Sequence, residues 1–203
     1  MFPPEVMAMS TAASRHRAWN LPNLLTYGRL VAVPVVAGCL LSTHDFWMRW
    51  LALGIFIGAA VTDFFDGYLA RAWGQQSSLG RILDPIADKL LVAATLLVLV
   101  SDHGIAGWSI WAGIVILCRE ILVSGLREFL AELHVSVPVS TVAKYKTTLQ
   151  LVALGFLIAG PAGDAVVPVV TTTGLILLWV SALLTLYTGW DYMKASYEHV
   201  GGA

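Results

Sequence analysis

The feature of this sequence that most restricts its fold is a series of long apolar segments separated by short polar breaks. The segments that we expect to form helical spans are residues 21–41, 46–72, 80–100, 105–130, 144–159 and 168–192. About 20 apolar helical residues cross a hydrocarbon core of about 30 Å. Hydrophobic residues make up 58% of the chain and charged residues 12%, whereas soluble domains are about 25% charged. The sequence therefore predicts an all-α membrane protein with six transmembrane helices.

The polar breaks between these segments are short, so we expect one membrane domain over residues 1–203 and no second, soluble domain. Residues 1–18 are expected to be a cytoplasmic arm. Its apolar and basic residues fit a short interfacial helix and fit disorder equally well. The first segment, residues 21–41, is too long for the apolar region of a signal peptide, so we expect it to be retained.

Lysine and arginine are distributed unevenly between the two sides that six spans define. Only Arg49 falls on one side. The cations on the other side are Arg15, Arg17, Arg29, Arg71, Arg81, Lys89, Arg119, Arg127, Lys144, Lys146 and Lys194. Because positively charged segments stay in the cytoplasm, this predicts a protein of the inner, cytoplasmic membrane with both termini in the cytoplasm. The net charge of −1 provides no basic field for nucleic acid.

Four aspartates lie where the second apolar segment ends and the third begins. The stretch reads Asp63-x2-Asp66-Gly67-x2-Ala70-Arg71-x8-Gly80-x3-Asp84-x3-Asp88. Helix positions three or four apart share a face, and the short link between the two helices lets their acidic faces meet. Carboxylates at a membrane boundary are costly, so a functional role is the first hypothesis.

Four facing carboxylates would repel each other, and bound divalent cations would remove this conflict. Oxygen ligands without paired cysteine or histidine favour Mg²⁺, Mn²⁺ or Ca²⁺ over Zn²⁺. A metal site at headgroup depth predicts a phosphate-bearing substrate, because two metals can clamp the two ends of an in-line displacement. Buried ion pairs, such as Asp66 with Arg71, explain the stretch poorly, since one arginine cannot balance four acids.

The same stretch resembles the signature of the CDP-alcohol phosphatidyltransferase family at every fixed position. The resemblance implies that Asp63, Asp66 and Asp84 bind one metal ion and that Asp63, Asp84 and Asp88 bind a second, both Mg²⁺ or Mn²⁺. It implies that Asp88 is also the general base that takes the proton of the acceptor hydroxyl. The active site would then face the cytoplasm, and the protein would be a homodimer among membrane lipids.

The resemblance assigns three further positions to the CDP-diacylglycerol donor. Gly67 has no side chain, which would let the cytidine portion approach the helix backbone. Arg71 would pair with a donor phosphate through its planar guanidinium group. Ser77 would contact the nucleotide, although Ser78 is nearly as suitable and a helix-capping role for Ser77 explains it equally well.

The start of the first span resembles one branch of the family, the phosphatidylglycerophosphate synthases. The residues that carry this resemblance are Asn20, Pro22, Asn23, Leu25, Thr26 and Arg29. Asn23, Thr26 and Arg29 form a polar stripe on an apolar helix. Interhelical hydrogen bonds and an arginine that reaches the interface explain this stripe as well as a functional role does.

Four cations in the second half of the chain, Arg119, Arg127, Lys144 and Lys146, also resemble this branch. They are physically reasonable if the acceptor itself bears a phosphate, as glycerol 3-phosphate does. The alternative is that the arginines pair with nearby glutamates and that the lysines only anchor the topology.

We therefore expect transfer of a phosphatidyl group from CDP-diacylglycerol to glycerol 3-phosphate, with release of CMP. A sister enzyme using serine, inositol phosphate or phosphatidylglycerol is the nearest alternative. A divalent-cation transporter would instead place acids at mid-membrane on several spans, and a structural scaffold would leave the four aspartates unexplained. Whether Pro85 bends the third span is open at this point.

Overall fold

The computed structural model describes residues 21–42, 45–73, 78–132 and 141–200, except for the side chains of residues 21–22, 63–73, 78–79, 81, 141–144, 195 and 198–200. Within these ranges the chain forms six α-helices and no β-strand. They are α1 (Leu21–Leu41), α2 (Phe46–Trp73), α3 (Ser78–Ser101), α4 (Ser109–Glu132), α5 (Thr141–Asp164) and α6 (Val170–Val200). The predicted all-α class is confirmed. The N-terminal arm, residues 1–18, lies outside the described residues.

Each predicted span overlaps one helix, but several helix ends differ from the predicted ones. The helix α4 begins at Ser109 and not at residue 105. The reason is local, because the Ile105 N–H bonds to the Leu99 carbonyl at 2.9 Å and Gly107 has a φ of 57°. At the other end of the chain, α6 continues to Val200, beyond the predicted residue 192. The helix α3 runs through Pro85 without ending there.

Length and hydropathy suit three of the described helical stretches to crossing a membrane. They are Asn23–Leu41, Ser109–Glu132 and Val170–Lys194, while Phe46–Thr62 is apolar but shorter. Many apolar side chains on the helix surfaces are exposed, including Trp47, Trp108 and Trp190, as expected of surfaces in contact with lipid and its interface. The chain is therefore an all-α membrane protein, and its six-span topology stays a prediction.

The helices pack in two groups that share one apolar core. In the first group α1 packs against α2 and α3, and in the second α5 and α6 form a long hairpin. Contacts of α2 with α5 join the two groups, and α4 packs mainly against α6. Buried core side chains come from all six described helices, for example Leu40, Phe56, Leu96, Ile116, Leu157 and Leu178. This packing brings the starts of α3 and α5 and the end of α4 to the same side of the molecule.

The helix α5 has a sharp break at Gly160, where φ is 42° and ψ is −127°. The sequence predicted that the chain turns here, but it stays helical to Asp164. Arg49 of α2 fills the space beside the break: its Nη1 donates to the Ile158 carbonyl at 3.2 Å, and its Nη2 pairs with Asp102. This contact joins α2, the end of α3 and α5 at the end of the molecule opposite the aspartates.

Asp164 lies beyond the predicted fifth span and connects α5 to the start of α6. It accepts hydrogen bonds from the Thr171 hydroxyl at 2.5 Å and from the Thr171 N–H at 3.0 Å. These bonds favour the ionised carboxylate and hold the pKa of Asp164 below its usual value, the hydroxyl bond most strongly. A carboxylate at a helix N-terminus is also stabilised by the helix dipole.

Candidate active site

Two of the four aspartates, Asp84 and Asp88, have described side chains. They lie one helical turn apart near the start of α3, so they share a face of the helix. Both are partly exposed. Asp84 accepts a hydrogen bond from the hydroxyl of Thr26 on α1, and Asp88 lines a cavity between α3, α4 and α5. The start of α3 therefore presents two carboxylates to its neighbours.

The other residues of the motif lie outside the described side chains. Asp63, Asp66, Gly67 and Arg71 belong to α2, whose backbone is helical from Phe46 to Trp73. Ser77 lies outside the described residues altogether. The meeting of all four aspartates, and the contacts of Gly67, Arg71 and Ser77, therefore stay predictions from the sequence.

The polar stripe of α1 is buried. Asn23, Thr26 and Arg29 are only 1–2% exposed, so Arg29 does not reach out to an interface. Because Thr26 bonds to Asp84, this stripe packs against the aspartate motif. The sequence left a structural and a functional role of Thr26 equally open. Its interhelical hydrogen bond is a structural contact, and the same bond orients Asp84, a carboxylate of the motif.

The cavity beside Asp88 has a volume of about 260 Å³. Its polar lining consists of Asp88, Lys89, Glu120, Thr147 and Gln150, and its apolar lining comes from α3 and α4. Small-molecule sites usually start at about 300 Å³. The cavity is therefore suited to a small polar molecule and is too small for a two-chain lipid. We call it the acceptor cavity.

Glu120 of the cavity wall belongs to a cluster of three charged residues, with Arg119 and Lys146, that joins α4 to α5. The Lys146 ammonium pairs with Glu120 Oε1, and Arg119 Nη1 lies 3.3 Å from the same oxygen. Arg119 Nη2 donates to the Thr188 hydroxyl of α6 at 3.0 Å. Asp88 also attracts the Lys146 ammonium. Three helices thus hold this Glu120 cluster next to the aspartate motif.

The surroundings of the cluster bear on the two roles that the sequence left open for its cations. Lys146 is 3% exposed, so its ammonium does not reach an interface as a topology anchor would. The pairing of Arg119 with Glu120 is present, as the alternative required. However, one carboxylate faces two cations, and Arg119 Nε has no hydrogen-bond partner among the described residues. Within the cluster the two cations outnumber the one carboxylate, and Arg119 keeps a buried N–H donor.

Arg127, the third of these cations with a described side chain, does not join the Glu120 cluster. Arg127 is exposed, and its guanidinium carbon lies 5.8 Å from the centre of the Tyr192 ring on α6, within the range of a cation–π interaction. The side chain of Lys144 lies outside the described residues. Arg119 and Lys146 therefore share Glu120 as a partner, whereas Arg127 contacts an aromatic ring.

Two further polar side chains line this cavity, and the sequence assigned a site role to neither. Lys89, next to Asp88 in the chain, donates a hydrogen bond to the Ser124 hydroxyl of α4. Gln150 is 3% exposed, and its Oε1 has no hydrogen-bond partner among the described residues. An unpaired buried polar atom costs about 1–3 kcal/mol. A signal was present, since Gln150 interrupts an apolar face one turn after Lys146.

Comparison with known proteins agrees with this arrangement. Residues 19–187 match the family model described as CDP-alcohol phosphatidyltransferase. Three relatives carry the name CDP-diacylglycerol–glycerol-3-phosphate 3-phosphatidyltransferase. The protein of Cereibacter sphaeroides is 41% identical over 90% of this chain and 97% of its own length. The protein of Rickettsia bellii is 46% identical over 89% of this chain and 97% of its own length. The protein of Escherichia coli is 42% identical over 88% of this chain and 95% of its own length.

Proposed function

The chain belongs to the CDP-alcohol phosphatidyltransferase family, and from this premise we propose that it transfers a phosphatidyl group from CDP-diacylglycerol to glycerol 3-phosphate. The products are phosphatidylglycerophosphate and CMP. The observation that carries this proposal is the buried Glu120 cluster beside Asp88. It offers positive charge for an acceptor that bears a phosphate. The names of the relatives state the same reaction.

The reaction requires a proton acceptor beside the attacking hydroxyl, and Asp88 is placed at the wall of the acceptor cavity. Its carboxylate takes the proton from the primary hydroxyl of glycerol 3-phosphate. The hydroxyl oxygen forms a bond to the phosphorus of the phosphatidyl group. The bond between this phosphorus and the oxygen of CMP breaks, and CMP leaves with the electron pair. A positioned base of this kind typically contributes about 10²- to 10⁴-fold in rate.

Binding of glycerol 3-phosphate near Asp84 and Asp88 requires cations, because the carboxylates repel its phosphate. Lys146, which is buried, and Arg119, whose side chain is 13% exposed, supply them. The Nε–H of Arg119 is a donor that the described residues leave available. Glu120 holds both cations in place, and Arg127 with Lys144 would add to the positive field near the entrance.

The donor is assigned to the motif residues at the end of α2 and in the link that follows. Gly67 would admit the cytidine portion against the helix backbone, Arg71 would bind a donor phosphate, and Ser77 would contact the nucleotide. The support for these roles is the spacing of the motif in the sequence.

The aspartates would hold two divalent metal ions, Mg²⁺ or Mn²⁺. The described residues fit such a group: Asp84 and Asp88 offer oxygen ligands one turn apart on α3, and both are partly exposed. Asp63, Asp66 and Asp84 would hold one ion, and Asp63, Asp84 and Asp88 the other. When bound, the ions would neutralise the negative charge that develops on the phosphates of the donor.

The cellular setting follows from the charge distribution. Eleven of the twelve lysine and arginine residues are predicted on one side of the membrane, with Arg49 alone on the other. We therefore place the active site and both termini on the cytoplasmic side of the cytoplasmic membrane. A homodimer is proposed from the family resemblance.

An acceptor panel tests the proposed function. Purified protein in detergent–lipid micelles with Mg²⁺ and CDP-diacylglycerol is supplied in turn with glycerol 3-phosphate, serine, inositol phosphate or phosphatidylglycerol, and CMP release is measured. We expect glycerol 3-phosphate to give by far the highest rate. A higher rate with another acceptor would assign the chain to a sister activity, and no CMP release with any acceptor would overturn the proposal.

A further inference from the structure

The buried face of α5 changes character along the helix. Ala153, Leu154 and Leu157 are fully buried in the apolar core. Lys146 and Gln150 continue the same face towards the start of the helix, and each is only 3% exposed. Lys146 has a partner in Glu120. The burial of Lys146 is explained by this partner, whereas the burial of the polar Gln150 side chain is not.

Gln150 lines the acceptor cavity, which also contains Asp88. Its Oε1 atom is buried without a hydrogen-bond partner among the described residues. Methionine has nearly the same length and shape and would fill this position without an unsatisfied oxygen. A polar side chain that is buried and unpaired at the wall of a cavity is explained if a ligand that enters the cavity provides its partner.

The chemistry of an amide oxygen limits what this partner can be. Oε1 only accepts hydrogen bonds, so it does not bind an ionised phosphate. Glycerol 3-phosphate has two hydroxyl groups that can donate. The primary hydroxyl gives its proton to Asp88 in the proposed reaction, which leaves the secondary hydroxyl as the donor to Gln150.

The spacing of the groups fits a three-carbon acceptor. On a helix, side chains four positions apart are separated by about 5–6 Å at Cβ, which is the relation between Lys146 and Gln150. A phosphate held by Lys146 and Arg119 at one end, and a primary hydroxyl at Asp88 at the other, place the secondary hydroxyl between them. Gln150 lines the same cavity as Asp88 and as Glu120, the carboxylate that pairs with both cations.

We propose that Gln150 determines acceptor specificity and that its Oε1 accepts a hydrogen bond from the secondary hydroxyl of glycerol 3-phosphate. The inference rests on the proposed function, because it adds a contact within the same cavity. The enzyme then selects a phosphate ester that carries a secondary hydroxyl as well as a primary one, and not every phosphate ester with a primary hydroxyl. An acceptor without the secondary hydroxyl would leave the buried amide oxygen of Gln150 unpaired. This cost is the basis of strong discrimination against such an acceptor.

The test compares two acceptors that differ in this hydroxyl alone. The probe is 3-hydroxypropyl phosphate, which keeps the phosphate and the primary hydroxyl of glycerol 3-phosphate. The measured quantity is the ratio of kcat/KM for glycerol 3-phosphate to kcat/KM for the probe, from CMP release. We expect a ratio of roughly 5- to 150-fold in the unmodified protein. In Gln150→Met it should fall to within about threefold of unity.

The matched control is Thr148→Val, which also removes a polar group from α5 but at an exposed position, and it should keep the ratio of the unmodified protein.

A ratio near unity in the unmodified protein overturns the inference without any variant. So does a Gln150→Met protein that folds and keeps full discrimination, and Gln150→Leu repeats the test if Gln150→Met does not fold. In each of these cases CMP release with glycerol 3-phosphate leaves the proposed function standing. Absence of CMP release with both acceptors overturns the proposed function and this inference together.

Discussion

Asp88 is the residue on which the chemical account depends most, because it lines the acceptor cavity and lies one turn from Asp84. Asp88→Asn keeps the shape of the side chain and removes the proton acceptor. We expect kcat to fall by about 10²- to 10⁴-fold, while CDP-diacylglycerol still binds at saturating Mg²⁺. Steady-state rates of CMP release, together with donor binding measured separately, check this expectation.

The matched control for this change is Asp45→Asn. Asp45 is exposed and precedes α2, and asparagine caps a helix start as well as aspartate does. The control should keep normal activity. If Asp88→Asn kept a kcat close to that of the unmodified protein, Asp88 would not be the base.

Lys146 tests the assignment of the acceptor phosphate. Removing a charge-assisted hydrogen bond of about 1.5–3 kcal/mol should raise KM for glycerol 3-phosphate by roughly 10- to 150-fold in Lys146→Met. A contact made equally in the ground and transition states leaves kcat nearly unchanged. Arg119→Gln should act in the same direction. KM for both substrates should be measured, with Lys194→Met, an exposed residue of α6, as the control. Unchanged KM in both cluster variants would remove the physical support for a phosphate-bearing acceptor.

The candidate site was predictable from the sequence where short spacing defines it, and not where distant segments meet. The separation of Asp84 and Asp88 on one helix face follows from the 3.6-residue period. The partner of Asp84, Thr26, is 58 positions away, and the partner of Arg119, Thr188, is 69 positions away. Such pairs depend on which helices are neighbours, and an apolar sequence with uniform segments does not determine this.

At the level of helices, apolar segments predicted the existence of all six helices better than their ends. The predicted first span and α1 agree because polar residues bound the segment on both sides. The fifth helix differs, since Gly160 and Pro161 normally indicate a helix end. The chain nevertheless remains helical beyond them because Arg49 bonds to the Ile158 carbonyl at the break. This tertiary contact is not visible in the local sequence.

The break in α5 leads to a stability prediction. At Gly160, an added Cβ would lie 2.8 Å from Nη1 of Arg49, and a φ of 42° with a ψ of −127° is strained for any residue with a side chain. Arg49 cannot move away freely, because it pairs with Asp102. Gly160→Ala should therefore destabilise the protein by about 1–3 kcal/mol, measured as a lower midpoint of thermal unfolding in detergent.

Gly58→Ala provides the comparison for this prediction. Gly58 lies within α2, and a Cβ there meets no atom within 4 Å, so alanine should be neutral or slightly stabilising. Equal unfolding midpoints for the two variants would show that the break at Gly160 does not require glycine.

In the whole molecule, the aspartate motif and the Glu120 cluster lie at one end of a helical membrane domain. The acidic motif is expected to work only with its metal ions. EDTA should therefore abolish CMP release, and added Mg²⁺ or Mn²⁺ should restore it, because uncompensated carboxylates would repel the donor phosphates. Size-exclusion chromatography before and after chelation shows whether the protein stays folded. Full activity in excess chelator would remove the metal from the account.

The central claim is that the hydroxyl of glycerol 3-phosphate attacks the phosphorus of the phosphatidyl group, and isotope transfer tests it most directly. Glycerol 3-phosphate with oxygen-18 in its primary hydroxyl is incubated with CDP-diacylglycerol and the purified protein, and the products are analysed by mass spectrometry. The account predicts that the label is retained in phosphatidylglycerophosphate and that the CMP released in equal amount is unlabelled. Release of phosphatidic acid together with a phosphodiester of CMP and the labelled primary oxygen of glycerol 3-phosphate would show attack at the other phosphorus, and would contradict the claim.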